Sequence, residues 1–133
     1  LIEFHLGGNF DIATMVRSHE GEFSGGQNLV KAIFCPEKGR CLYFSRSEIP
    51  CFRAQKDVVL KTWWSHVGVY SYRPKKLEEF CSFPPGHYEQ AESLEQLRAL
   101  ENGLTIGAVE IKSKLAGVDT PEDIQKVEEL INE

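Results

Sequence analysis

No uncharged apolar run in these 133 residues approaches the roughly 18 that a membrane span requires, so no transmembrane helix is expected. Glycine (11) and proline (6) are too scarce for a fibrous or low-complexity chain. The start, LIEFHLGGNF, lacks both a basic n-region and a continuous apolar h-region, and no secretory signal peptide is expected. The first residue is Leu rather than Met, which leaves N-terminal processing or truncation open. Cys35, Cys41, Cys51 and Cys81 form no C-x-x-C pair of the kind that zinc ribbons and redox motifs use. They are also far sparser than in disulfide-stapled secreted folds, so buried, reduced thiols are expected. With 41% apolar and 26% charged residues, the chain has enough material for one domain with a modest core, and a soluble, intracellular unit is expected.

The net charge of -5 is unevenly spread. Residues 1–30 carry four acids against Arg17, residues 31–79 ten Lys and Arg against five acids, and residues 80–133 four bases against eleven acids. A basic middle in an acidic protein suits either an anionic small molecule, such as a nucleotide phosphate, or simply a solvated face. The bases are not interleaved with aromatics, and nucleic acid is not an expected partner.

Residues 12–17 (IATMVR) read as a strand. Residues 29–35 (LVKAIFC) and 40–44 (RCLYF) flank a turn at Pro36–Gly39 and read as a hairpin. Residues 58–64 are apolar and β-prone, and residues 66–73 (HVGVYSYR) alternate, with His66, Gly68, Tyr70 and Tyr72 on one face. Pro74 opens a helix. A second helix is predicted over 89–102, with Ala91, Leu94, Leu97 and Leu100 as its apolar stripe and Gly103 as its stop. Residues 105–111 read as a strand, and Thr120-Pro121-Glu122-Asp123 as a helix start with Ile124, Val127 and Ile131 on its buried side. Helices alternating with strands in the second half predict an α/β fold.

Three stretches in this order and spacing carry more than composition: LYFSRSEIP (42–50), HVGVYSYR (66–73) followed by LEQLRALENG (94–103), and GVDTPEDIQKVE (117–128). Together they resemble the C-terminal half of the 3-deoxy-manno-octulosonate cytidylyltransferases, the CMP-Kdo synthetases. The likeness is close from about residue 40 to 131 and looser before it. It implies the C-terminal portion of a Rossmann-like nucleotidyltransferase fold, a mixed sheet with flanking helices. It implies a cytoplasmic, homodimeric, Mg²⁺-dependent transferase that moves CMP from CTP to Kdo and releases pyrophosphate in lipopolysaccharide biosynthesis.

The same resemblance suggests residues in roles. Asp119 would be a catalytic carboxylate holding Mg²⁺, which takes hard oxygen ligands; without the resemblance it reads as a charge at a helix start. Arg46 would pair with the carboxylate of the sugar acid, for which a planar guanidinium fork is suited, and otherwise reads as a surface arginine. His66 and Tyr70, four residues apart on one strand face, would bond sugar hydroxyls, and otherwise read as a satisfied histidine and a core tyrosine. Glu95 and Gln96 would do likewise from the shoulder of a helix, where they otherwise read as a solvated face. Trp63 and Trp64 read as core or interface residues, with a dimer contact the expectation.

The family's nucleotide-handling loop, G-x-R-x-x-S-x-R-x-P-x-K, is not in this sequence, nor is its Q-G-D-E-P stretch with a second metal carboxylate. The chain therefore reads as a single domain, 1–133, forming the sugar-binding and dimerising half without the CTP-binding half, and inactive alone. The alternatives are a cytidylyltransferase for another acidic sugar of the sialic acid type, or a non-catalytic sugar-binding or dimerisation module.

Overall fold

A computed structural model describes residues 1–52, 62–112, 124, 127 and 128. In chain order the elements are α1 (Ile2–Gly7), β1 (Ile12–Glu20), β2 (Lys31–Cys35), β3 (Arg40–Ser45), β4 (Thr62–Tyr72), α2 (Pro74–Ser82), α3 (His87–Glu92), α4 (Gln96–Glu101) and β5 (Ile106–Glu110). The strands lie in the order β1-β4-β2-β3-β5, and the β1–β5 pairing closes the ring. β1 and β5 run parallel; the other pairings are antiparallel. This is the expected mixed sheet with flanking helices.

β1 and β5 are the interior strands. Ile12, Ala13, Thr14 and Val16 of β1 and Ile106, Gly107 and Ala108 of β5 are buried, because apolar or small side chains occupy both faces where a parallel pair is covered. Gly107 is required by packing: a Cβ there would lie 2.2 Å from the Phe10 ring. β2 and β3 form the predicted hairpin, with Gly39 at φ 60° in the turn. β4 is one continuous strand from Thr62, so the two predicted apolar segments join; residues 53–61 lie outside the described ones. Trp63 is fully buried and stacks on His19 with ring centroids 4.1 Å apart, and Trp64 lies half-buried edge-on to Phe34. Trp63 is thus a core residue rather than the expected dimer contact.

Three expectations change. The helix predicted over 89–102 is two short helices, broken where Ser93 adopts a left-handed φ of 52° and Leu94 turns inward. Ala91 is consequently exposed, and the apolar side is supplied by Leu94, Leu97 and Ala99. All four cysteines are free, but only Cys41 is buried; Cys35 is intermediate, and Cys51 and Cys81 are exposed because they sit outside the strands. Of the C-terminal helix, Ile124 is exposed and Val127 half-buried, so the described residues do not cover that side. α1 was not expected. Carbonyls of α1 and of the segment after it hold it in place: Arg73 donates to His5 O of α1 at 3.1 Å, to Phe10 O at 2.9 Å and to Gly8 O, fastening residues 5–10 to the end of β4.

The starts of β1 and β5 are joined through Asp11. Its Oδ2 accepts the Thr105 N–H and hydroxyl, both at 2.8 Å, while its own N–H donates to Thr105 Oγ1 at 3.1 Å. Burial raises the Asp11 pKa, but these bonds and the charges of Lys76 and Arg73 outweigh it and hold the carboxyl below its ordinary value. Asp11→Ala is expected to lower stability by about 1–3 kcal/mol, the usual cost of orphaned partly buried donors. Urea denaturation at neutral pH measures it; an unchanged midpoint would show that the junction contributes nothing.

Candidate functional site

His66 and Tyr70 are brought together by an irregularity in β4. Ala13 pairs with Ser71 and Met15 with Val67, so two steps along β1 span four along β4. In a regular strand residues four apart stand about 13 Å from one another. Here the two rings lie 5.4 Å apart, because the extra residues form a bulge. The bulge is pinned by Thr14, whose Oγ1 lies 3.2 Å from Val67 O, 2.9 Å from Val69 O and 2.9 Å from His66 Nε2. The aromatic row continues through Phe44 (4.8 Å from His66), Tyr72 (6.0 Å from Tyr70) and Phe80 (5.8 Å from Tyr72), ending at the Arg98 guanidinium over Phe80 at 5.0 Å.

The break between α3 and α4 closes over this row. Arg46, at the end of β3, donates from Nε to Glu92 O at 2.7 Å, from Nη2 to Ser93 O at 3.1 Å and from Nη1 to Gln27 O at 3.2 Å. The Glu92 carboxylate answers from the other side, accepting Ser45 Oγ at 2.6 Å and the Arg46 N–H at 2.9 Å. Lys31, 1% exposed, donates from Nζ to Arg46 O at 3.1 Å and to Gly26 O, and so fixes the same junction from β2. The turn held in this way carries Glu95 and Gln96. Glu95 is exposed, and its charge adds to burial, the larger cause, in raising the pKa of Tyr70 and Tyr72. Gln96 is 5% exposed.

His66, Tyr70 and Glu95 therefore gather, with Gln96 on the same turn. Arg46 braces that turn, with three of its N–H groups on backbone carbonyls and two beyond those bonds. Asp119 lies outside the described residues, and among the described residues no group of three or more His, Cys, Asp or Glu side chains gathers to hold a metal. Sequence reasoning missed Thr14, Lys31 and Glu92. A signal existed for two of them: Thr14 and Lys31 are the polar residues inside otherwise apolar strand runs, IATMV and LVKAIF. Glu92 carried none, since an acid on a predicted helix reads as solvated.

The chemistry of the pair follows from its burial. Desolvation pushes the His66 pKa down to about 4, and burial first, then Tyr72, Glu95 and Cys41, push the Tyr70 phenol up. At neutral pH the pair is a neutral imidazole and a neutral phenol, which can donate to and accept from hydroxyls. The imidazole is a weak base there, so its contribution is hydrogen bonding rather than proton abstraction.

A pH dependence of stability follows. The folded state holds His66 neutral down to about pH 4, whereas the unfolded chain protonates it near 6.5. The unfolded state therefore binds more protons between those values, and stability falls as pH drops through that window, by about 1.4 kcal/mol per pH unit at most. His19, pushed down by burial and by Arg17, acts in the same direction. His66→Asn should remove the His66 share, making the loss between pH 7 and 4.5 smaller than in the wild type by chemical denaturation. An unchanged loss would place a charged imidazole in the folded protein.

The relatives of this chain agree with the sequence resemblance. A family model described as Cytidylyltransferase matches residues 12–111. The 3-deoxy-manno-octulosonate cytidylyltransferase of Geobacter sulfurreducens is 47% identical over 108 residues, covering 75% of this chain and 43% of the relative. That of Myxococcus xanthus is 39% identical over 120 residues, covering 90% and 48%. A solved structure of CMP:2-keto-3-deoxy-manno-octonic acid synthetase complexed with CTP superposes with a TM-score of 0.85 at 32% identity, covering 99% of this chain and 54% of that one. The chain thus spans about half the length of the relatives it matches. Its sequence match and its mixed sheet with flanking helices place it in one family: the chain belongs to the cytidylyltransferases.

Proposed function

We propose that this chain is the sugar-binding and dimerising half of a cytidylyltransferase that transfers CMP from CTP to the 2-hydroxyl of Kdo, releasing pyrophosphate, in cytoplasmic lipopolysaccharide biosynthesis. The observation that carries this reading is the superposition on the CTP-complexed synthetase over 99% of the chain. The neutral His66–Tyr70 pair beneath the Glu95–Gln96 turn supports it, because such a set recognises a polyhydroxylated ligand. In this reading His66, Tyr70, Glu95 and Gln96 bond the hydroxyls of Kdo. Arg46 holds the turn with three N–H groups and offers the remaining two to the sugar carboxylate. Mg²⁺ is proposed as the cofactor, and Asp119 as its carboxylate ligand from this chain. When bound, the ion neutralises the triphosphate. The CTP-handling loop belongs to the other half, so the 133-residue chain alone is expected to be inactive.

The test is pyrophosphate release from CTP and Kdo with Mg²⁺, on this chain beside the protein extended upstream. Activity in the extended protein alone is the expected result, and a preference for Kdo over sialic acid assigns the sugar. Turnover by the 133-residue chain would overturn the division of the site, and silence from both would favour a non-catalytic module. In the extended protein Asp119→Asn should lower kcat by about a hundredfold or more, the weight of a lost metal ligand in charge stabilisation. An unchanged kcat and Mg²⁺ dependence would remove Asp119 from that role.

A further inference from the structure

Thr14 is fully buried in β1, and its hydroxyl meets three groups at hydrogen-bond distance. Two of them, Val67 O and Val69 O at 3.2 and 2.9 Å, are carbonyls that only accept. A hydroxyl carries one proton, so Thr14 Oγ1 donates toward these carbonyls. Without a proton between them, two oxygens 2.9 Å apart would repel. The third group, His66 Nε2 at 2.9 Å, must then donate its proton to a lone pair of Thr14 Oγ1. The His66 backbone N–H donates to Val30 O at 2.8 Å, and its imidazole makes no other hydrogen bond among the described residues, so nothing competes for this assignment. The side chain packs instead against Phe44 and Tyr70.

We propose that Thr14 is the positioning residue of this site: it holds the β4 bulge that brings His66 to Tyr70, and it fixes His66 as the Nε2–H tautomer with Nδ1 as a hydrogen-bond acceptor. A neutral imidazole has one N–H and one bare nitrogen, and the hydrogen bond of one nitrogen decides the role of the other. The ring therefore presents an acceptor, which selects a donor such as a ligand hydroxyl and disfavours an anionic oxygen. Tyr70 Oη supplies a hydroxyl able to donate. The two side chains form a donor and acceptor set whose polarity is imposed from β1, by a residue with no contact to ligand of its own.

The tautomer assignment stands on geometry alone; its consequence for ligand rests on the reading of His66 as a Kdo contact. Both are separable by experiment on the extended protein. With histidine labelled in ¹⁵N, NMR at pH 7 should give His66 a protonated-type Nε2 signal and a bare-type Nδ1 signal in the wild type. Thr14→Ser should preserve that pattern. Thr14→Val, which keeps the shape and removes the hydroxyl, should shift both signals toward intermediate, exchange-averaged values. An Nδ1–H pattern in the wild type, or an unaltered pattern in Thr14→Val, overturns the proposal. Should Thr14→Val fail to fold, the wild type and Thr14→Ser decide: Nε2–H in both supports it, and Nδ1–H in either overturns it. In steady-state kinetics Thr14→Val should raise KM for Kdo about tenfold with a smaller change in kcat, and Thr14→Ser should restore it to within about twofold. A lost tautomer with an unmoved KM would leave Thr14 in its role and remove His66 from the ligand.

Discussion

At the end of β3 a guanidinium and a carboxylate grip the same short turn from opposite sides, and the geometry of the candidate site follows from that grip. Arg46 bonds the carbonyls of Glu92 and Ser93, which a continuous helix would have kept for its own N–H groups. Glu92 in turn accepts Ser45 and the backbone of Arg46. A serine in the left-handed region is unfavourable by about 1–2 kcal/mol, and several charge-assisted hydrogen bonds exceed that. The helix breaks, Leu94 turns into the core, and Glu95 and Gln96 are delivered over the aromatic row instead of lying along a solvated face.

The strand side of the site is built by the same logic with a hydroxyl in place of an ion. β4 carries two more residues than β1 opposite the bulge, and its carbonyls there need a partner. Thr14 provides one from the interior of β1. The bulge then does what separation along a flat strand cannot, placing an imidazole beside a phenol. Burial keeps both neutral at physiological pH, so the pair recognises hydroxyls without a fixed charge. Charge enters through Glu95 on the turn and through Arg46 behind it.

These two devices also explain how the site is distributed. His66 and Tyr70 stand on β4, Glu95 and Gln96 on the α3–α4 turn, and the groups that fix them on β1, β2 and β3. Lys31 links β2 to the Arg46 backbone, so hairpin and turn share one set of polar contacts, while Thr14 pins the bulge separately from β1. A buried lysine is retained there because its ammonium satisfies carbonyls that would otherwise be orphaned.

Local patterning was enough for much of the fold. Alternation and turn chemistry read the hairpin of β2 and β3, Pro74 read the start of α2, and apolar runs read β1 and β5, because these elements are set by neighbours in sequence. The collinear motifs also named His66, Tyr70, Glu95, Gln96 and Arg46 as a set. Tertiary contacts decided the rest. The apolar spacing of residues 89–102 satisfies one helix as well as two, and only Arg46, some 46 residues away in sequence from Glu92, breaks the tie. His66 and Tyr70 share a face by strand parity, yet their contact depends on a bulge pinned by a threonine 52 residues from His66. By itself the sequence determined which residue types were present and on which faces they stood. The structure decided which of them meet, because bulges and helix breaks are stabilised by partners that no local pattern contains.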